Sequence, residues 1–451
     1  MRHIRGLVAI VALVVFSVTM SGTALGLPGI SSDKFQTSDG CGCHAALLEQ
    51  WSKSMHAKAL SDPLYQLKLS EANKATDGAL GPFCDACHGP VAVMAGENKD
   101  WASASPQSLE AVACDFCHQV DGTTEPIGNT SQTLIADGTK RAQWADAKSP
   151  AHATAYSAFH ESAEFCGACH NVDHPANGMH LEATYTEWKN GPYAEEGIVC
   201  QDCHMTPGPG VTKPNPGTAA AGGPQRDHIY LMTFAGGNVG LGDAALAEER
   251  LQAAVAMDLE APEILEPGSK GEVTVTLTNV GAGHYVPTGL TEVREMWLEV
   301  TADDGSGEPE VIGTHVFGSI LKDAEGNSPV ELWEAVAFES DDRIPPRESV
   351  TDTFEVTMPE GGEVTLSAAL YYRSASEEMA EKAGVEIPTT TMVEMTTAVY
   401  GSEEIAAEAS RVEAGQAGGG NGGALIWAIG GLAAAIAFAA FFVMRGRKQN
   451  A

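Results

Sequence analysis

The sequence predicts a multidomain chain built from three kinds of structure in order. A loop-rich, α-helical domain occupies residues 30–240, and a β-sandwich of immunoglobulin type follows over 245–400. One transmembrane helix, at 424–444, comes near the end. Three observations carry this prediction. All ten cysteines lie at or before Cys203, in five pairs, and a histidine follows each pair. Residues 245–400 contain no cysteine and carry apolar residues alternating with threonines. Residues 424–444 are uncharged and are followed at once by Arg445, Arg447 and Lys448.

The 451 residues are enough for roughly two or three domains, and 43% hydrophobic residues against 19% charged supply material for a packed core. Twenty-three prolines and 49 glycines fit a loop-rich chain. Lys+Arg 26 against Asp+Glu 60 gives a net charge of −34, which argues against binding nucleic acid or anionic lipid.

Residues 1–26 read as a secretory signal peptide. Arg2 and Arg5 precede an apolar stretch at 7–18, and Ala24-Leu25-Gly26 offers small residues for cleavage. An uncleaved anchor is the alternative. The run at 424–444 would be about 31 Å long as a helix, enough to cross a bilayer core. The cations after it put residues 445–451 in the cytoplasm, and residues 401–423, glycine-rich from 415, read as a flexible linker. The body of the protein is therefore expected outside the cytoplasm, periplasmic or at the cell surface, tethered to the cell membrane by a single pass.

An exported chain with ten cysteines would ordinarily suggest disulfides. The spacing points elsewhere. The sites read Cys41-Gly-Cys43-His44, Cys84-Asp-Ala-Cys87-His88, Cys114-Asp-Phe-Cys117-His118, Cys166-Gly-Ala-Cys169-His170 and Cys200-Gln-Asp-Cys203-His204. Four are C-x-x-C-H, the attachment signature of c-type haem (heme c). Two thiols about one helical turn apart each bond a porphyrin vinyl group, and the next imidazole swings under the iron as proximal ligand. Zinc ribbons and disulfides also use paired cysteines, but neither needs a histidine after each pair. Histidine is 14 of 451 residues, so five such placements arise by chance with a probability on the order of 10⁻⁸. Five covalent haems are expected. The first site has one residue between its cysteines, so a double thioether is strained there. Gly40 and Gly42 can relax the backbone, and a single thioether through Cys43 is the alternative.

Removing five proximal histidines and His3 leaves eight candidates for sixth ligands: His56, His152, His160, His174, His180, His228, His284 and His315. That supply exceeds five distal positions, so every iron can be bis-histidine. Residues 45–61 read as one helix with Leu48, Trp51 and Met55 on one face. His56 would lie about 18 Å along it from His44, and so would serve a neighbouring haem. His152 and His160, about 12 Å apart if helical, would serve two different irons. His174 falls on the same side of a helix as His170 and is a poor partner for it. Pro175 suggests a turn there, and His180 has little to recommend it. Methionine is the other sixth ligand; Met55 and Met205 adjoin histidines, but the histidine surplus favours bis-histidine irons.

Longer stretches carry a resemblance. They are Glu49-Gln-Trp51-Ser-Lys-Ser54-Met-His56, Ser149-Pro-Ala-His152, Thr184-Tyr-Thr-Glu-Trp188, Cys200-Gln-Asp-Cys203-His204-Met205 and Arg226-Asp-His228, in that order with the cysteine motifs over about residues 35–240. The chain resembles multihaem c-type cytochromes of the hydroxylamine-oxidoreductase and pentahaem nitrite-reductase superfamily. In such proteins the histidine of a W-x-x-S-x-H stretch commonly ligates a different haem, which implies that role for His56 and supports the first site. The stretch from Gly281 to Gly289 resembles one in related cytochromes with a downstream β domain. This implies His284 as a ligand reaching back, with a hairpin-turn histidine as the alternative. His228 completes the distal set of His56, His152, His160, His228 and His284. The nitrite reductases mark their open iron with C-x-x-C-K, which does not occur here.

At roughly 40 residues per site, the first domain is too short to enclose each haem in its own core, so haems must pack against one another. In the second domain, Val273, Val275 and Leu277 alternate with threonines, as do Val364, Leu366 and Ala368 with Thr365 and Ser367. Met296 to Val300 is a less clean strand because of Trp297, and 377–384 reads as a short helical insert. The function expected is electron transfer through stacked, mostly bis-histidine haems, with no catalytic residue assigned. The redox partners would be basic cytochromes or a membrane quinol-oxidising subunit. The alternatives are an oxidoreductase acting on a small nitrogen or sulfur compound at one five-coordinate haem, and a haem-bearing filament subunit.

Overall fold

The computed structural model describes residues 27–417. The expected signal peptide, the 424–444 helix and the 445–451 tail lie outside the described residues. Among the described residues, no helix is long and apolar enough to cross a membrane.

Short helices and long loops make up the N-terminal region, and its longest helix is Pro63–Ala75. Asp62 caps that helix by accepting from the Leu64 amide, and Pro63 supplies the preset φ of a first helical residue. The helix expected over 45–61 is broken. Ala45–Lys53 ends at Ser54, whose backbone is extended (φ −76, ψ 160), and Met55–Lys58 begins a new turn. The break is tied on both sides. The Ser54 hydroxyl and amide both donate to Trp51 O, the Trp51 indole donates to Val112 O, and the Val112 amide donates to His56 O. His56 is thereby aimed by the 112–118 segment and not by its own helix. The region's apolar clusters are small; one gathers Phe35, Val91, Met94, Phe116 and Val120.

Two larger antiparallel sheets form the sandwich of the C-terminal region, beside a two-stranded ribbon of Ser319–Lys322 and Ala337–Asp341. One has strands in the order Glu310–Phe317, Glu295–Asp303, Glu363–Arg373, Thr390–Tyr400; the other has Ser349–Thr357, Lys270–Asn279, Val255–Glu260. They close on one shared core. Val273, Val275 and Leu277 come from one sheet and Met296, Leu298, Val300, Leu366 and Leu370 from the other, all fully buried. The intervening threonines face outward, where Thr276 and Thr278 bond Thr351 and Ser349 across the strand pair. Trp297 keeps the two-residue alternation after all. It lies on the outer face, tilted against Tyr371 at 5.3 Å and covered by the Arg373 guanidinium at 5.1 Å. The insert is a helix, Glu377–Ala383, capped by Ser376 and ended by Gly384 at φ 68.

The linker expected at 401–423 is in part a helix, Glu403–Ala417. Its alanines and glutamates have high helix propensity, and the Ser402 hydroxyl accepts from the Ile405 amide at its start.

The two regions are joined by apolar and ionic contacts. Leu64 packs with Val293, Ala375 and Met379, and Lys68 pairs with Glu331 at 2.7 Å. Near this seam, burial holds the Glu292 carboxyl up to about 7, and its Oε1 has no hydrogen-bond partner. Between pH ~4.5 and ~7 the folded chain keeps that proton and the unfolded chain does not, so the group's contribution to stability falls as pH rises. The loss amounts to about 3 kcal/mol once Glu292 is ionised in both states. Glu292→Gln is therefore expected to unfold at higher denaturant than the parent at pH 8 and at a similar denaturant concentration at pH 4.5. Equal midpoints at pH 8 would count against the assignment.

Candidate haem sites

A continuous cavity of about 1860 Å³ runs through the N-terminal region and under the edge of the β domain. All ten cysteines and all five following histidines line it. The local sequence explains how. Cys84 and Cys87 lie in the helix Gly81–His88, Cys114 and Cys117 in Cys114–Gln119, and the Cys200 and Cys203 pair at Gln201–His204. A three-residue separation sets both thiols on one helix face, with the imidazole next to them. The first site sits in a tighter 3₁₀ turn, Ser38–His44, which departs from helical geometry inside the turn at Cys41 (φ −84, ψ 24) and at its last residue, His44 (φ −107, ψ 35), and not at either glycine. None of the ten cysteines forms a disulfide.

Each of the five histidines has its Nδ1 tied to the protein. His44 donates to Ala219 O at 2.7 Å, His88 to Ala59 O at 2.8 Å, His118 to Arg141 O at 2.8 Å and His204 to Ala235 O at 2.7 Å. His170 instead faces the Glu182 carboxylate at 3.4 Å. A protonated, anchored Nδ1 leaves the Nε2 lone pair free for a metal. Burial works against a charged His170, but Glu182 outweighs it and holds the imidazole up to about 9. Burial pushes His204 down to about 4, and His56 to about 3.

Four of these imidazoles face a second one. The ring centroids are 6.4 Å apart for His44 and His152, 5.9 Å for His118 and His160, 6.2 Å for His170 and His56, and 6.1 Å for His204 and His284. A first-row metal at about 2.0 Å from two imidazole nitrogens, each about 1.1 Å from its own ring centre, separates the centroids by about 6.2 Å. The residues fit an iron between each pair. The fold is that of a multihaem c-type cytochrome.

Comparison with known proteins agrees. Residues 41–119 match the family described as cytochrome c554 and c-prime. A penta-heme cytochrome c552 from Thermochromatium tepidum is 22% identical with a TM-score of 0.62, over 81% of this chain and 99% of that one. That share exceeds the N-terminal region, so the likeness takes in the β domain. The CARDB domain of a Pyrococcus furiosus protein solved with di-metal ions overlaps 32% of the chain at 13% identity and a TM-score of 0.19. A β-glucosidase from Listeria innocua overlaps 30% at 15% identity and 0.15. Nothing follows from scores that low. No curated protein matches.

The distal candidates divide. His56, His152, His160 and His284 are brought to the cytochrome's cavity, but His228 is not. The Asn215 amide donates to its Nδ1 at 2.9 Å, in a loop closed by the Gly217–Arg226 bridge, and its ring rests edge-on against Tyr230. His174 lines the cavity with both nitrogens engaged: Nδ1 accepts from the Ala176 amide and Nε2 approaches Trp333 O at 3.4 Å. His180 bonds Asp173, and His315 bonds Asp352 in the β domain. His160 differs from the other distal rings. Its Nε2 lies 3.1 Å from Cys117 O, so its buried, unpartnered Nδ1 is the free nitrogen. His88 has no histidine opposite among the described residues. Tyr65 stacks face to face on its ring at 3.7 Å and donates to Asp85 at 2.7 Å.

Adjacent sites touch through their cysteines. The Cys41 thiol neighbours that of Cys114, which brings the first site beside the third. The thiols of Cys87 and Cys169 are neighbours, as are those of Cys166 and Cys200, which brings the fourth site beside the second and the fifth. Cys117 lies within electrostatic reach of Cys166 and Cys169. The fourth site is therefore a hub.

Several residues that build the sites carry no role that the sequence makes legible. Backbone carbonyls orient four imidazoles, and a carbonyl can belong to any residue. Glu187 anchors the loop that carries His284. It is buried, and it accepts from the Tyr285 amide at 3.2 Å, the Thr288 hydroxyl at 2.7 Å and the Arg343 guanidinium at 2.5 Å. Removing one partner of such a buried pair costs about 3–5 kcal/mol. Glu187→Ala should release the loop and convert one bis-histidine haem from low to high spin, read as a gain in the ferric EPR signal near g = 6 over the parent and the loss of one low-spin signal. A variant whose low-spin signals are unchanged from the parent's would show that Glu187 does not hold His284 in place.

Proposed function

We propose that this cytochrome is a membrane-anchored, extracytoplasmic pentahaem electron relay, four of whose irons lie between two histidines. The four opposed imidazole pairs, at the separation an iron requires, are the observation that carries the reading. Haem supplies one-electron chemistry when bound. The chain's own residues supply attachment, axial ligands and spacing, and they leave four irons without a position for substrate. Touching cysteines of neighbouring sites imply short hops: first to third to fourth, with branches from the fourth to the second and the fifth. The immunoglobulin-type sandwich has a definite task here, because it delivers His284 to the fifth site. Kinship with the hydroxylamine-oxidoreductase and pentahaem nitrite-reductase superfamily belongs to the same proposal.

The partners are inferred from charge. A chain at −34, with haem propionates added, favours a basic redox protein on one side, and a membrane quinol-oxidising subunit fits the tethered end.

His88 favours a second reading. With no histidine opposite among the described residues, its iron would keep a place for a small nitrogen or sulfur compound, and the branch would then end in a reactive site.

Pyridine haemochrome assay should return five haems per chain; four would mean that the first motif is empty. Carbon monoxide added to the fully reduced protein should bind at no more than one haem per chain. None favours the pure relay and one favours the reactive branch, whereas two or more would refute the four paired assignments. Electron exchange with a basic cytochrome should slow as ionic strength rises from 10 to 300 mM, and a flat profile would remove the basic-partner inference.

A further inference from the structure

Four of the five proximal imidazoles donate Nδ1–H to a neutral backbone carbonyl, but His170 faces a carboxylate. That carboxylate, Glu182, is 9% exposed and lines the haem cavity. The oxygen facing His170 also accepts from the Thr184 hydroxyl at 3.0 Å, which fixes its orientation. Among the described residues, its only ion-pair contact is His170 itself, with no lysine or arginine to neutralise it. Its field reaches both Cys87 and Cys169, which touch each other across the second and fourth sites. The unneutralised charge therefore sits at the hub of the proposed relay.

We propose that Glu182 sets the reduction potential of the hub, holding the iron bound by His170 and His56 below the other bis-histidine irons. This rests on the relay reading above. A carboxylate that accepts the Nδ1–H gives the imidazole anionic character, so it donates more strongly and favours ferric over ferrous iron. The same negative charge stabilises the ferric state through space, and burial weakens its screening. The hub is then the last of the four to fill. Electrons cross it and reside on the arms, so the second and fifth sites exchange electrons only by passing a node that stays oxidised. Glu182 acts through His170 and is a tuning residue, not a catalytic one.

The test is potentiometric titration of the full-length, haem-loaded protein, followed in the visible bands and by EPR. In Glu182→Gln, which keeps the shape and removes the charge, the lowest bis-histidine step should move to higher potential. The steps of the first and third sites should stay in place. Glu182→Asp, which keeps the charge, should move the same step less. Unchanged steps in the Gln variant, a downward shift, or equal shifts in both variants would overturn the proposal. A second measurement needs no variant. In the near-infrared magnetic circular dichroism of the oxidised parent protein, one low-spin haem should show its charge-transfer band at higher energy than the other bis-histidine haems. A single common band energy would overturn the proposal on its own. A parent protein without four bis-histidine haems would instead overturn the relay reading, and the hub with it.

Discussion

An imidazole holds an iron in a fixed direction only if its other nitrogen is held by the protein. In this chain, His44, His88, His118 and His204 spend Nδ1–H on a carbonyl, and His170 points it at Glu182. Those five contacts select the tautomer, orient the ring and leave Nε2 facing into the cavity. Much of the N-terminal architecture can be read as the means of bringing those acceptors into place. Ala219 and Ala235 come from the long loop after the last cysteine motif, and Arg141 from a short strand, Lys140–Ala142, beside the third site. The domain has few helices of any length because acceptors must arrive from many directions.

Chain economy makes this arrangement necessary. With so few residues per site, no haem can have a private core, and the small apolar clusters of the region flank the cavity and do not fill it. Walls are shared, and so are ligands. His56 follows the first motif and faces His170 of the fourth, while His284 crosses from the β domain to His204. Sharing of this kind couples the sites mechanically: a shift of the 54–56 break would move the distal face of the hub. The β domain, with its own well-packed core, acts as a rigid bracket for His284 through Glu187 and Arg343.

Motif chemistry was legible in the sequence because it is local. Cysteine spacing and the adjacent histidine reflect geometry within one helical turn, and no distant residue alters it. The strand alternation of Val273, Val275 and Leu277 was readable for the same reason. Trp297 looked like an interruption only because an outward tryptophan has an apolar name. Its partners Tyr371 and Arg373 lie on another strand, so its face could not be judged from the local pattern. The broken helix at Ser54 was hidden for a related reason, since the contacts that hold the break come from Val112.

The pairing of distal candidates with proximal histidines lay beyond the sequence, because it depends on which loop passes over which site. Counting histidines showed a surplus, and the structure then spent it unevenly. His174 turns both nitrogens to an amide and a carbonyl, and His228 turns Nδ1 to an amide while its Nε2 stays buried and unpartnered outside the cavity lining; His88, among the described residues, is left without an opposing histidine and stacked against Tyr65. The sequence by itself determined the cofactor chemistry, the five cysteine–histidine motifs and the two-region order, since each follows from spacing within a few residues. Only the tertiary structure decided which imidazoles face each other, which site is the hub and where the one carboxylate sits. Those facts are set by contacts between segments tens to more than a hundred residues apart.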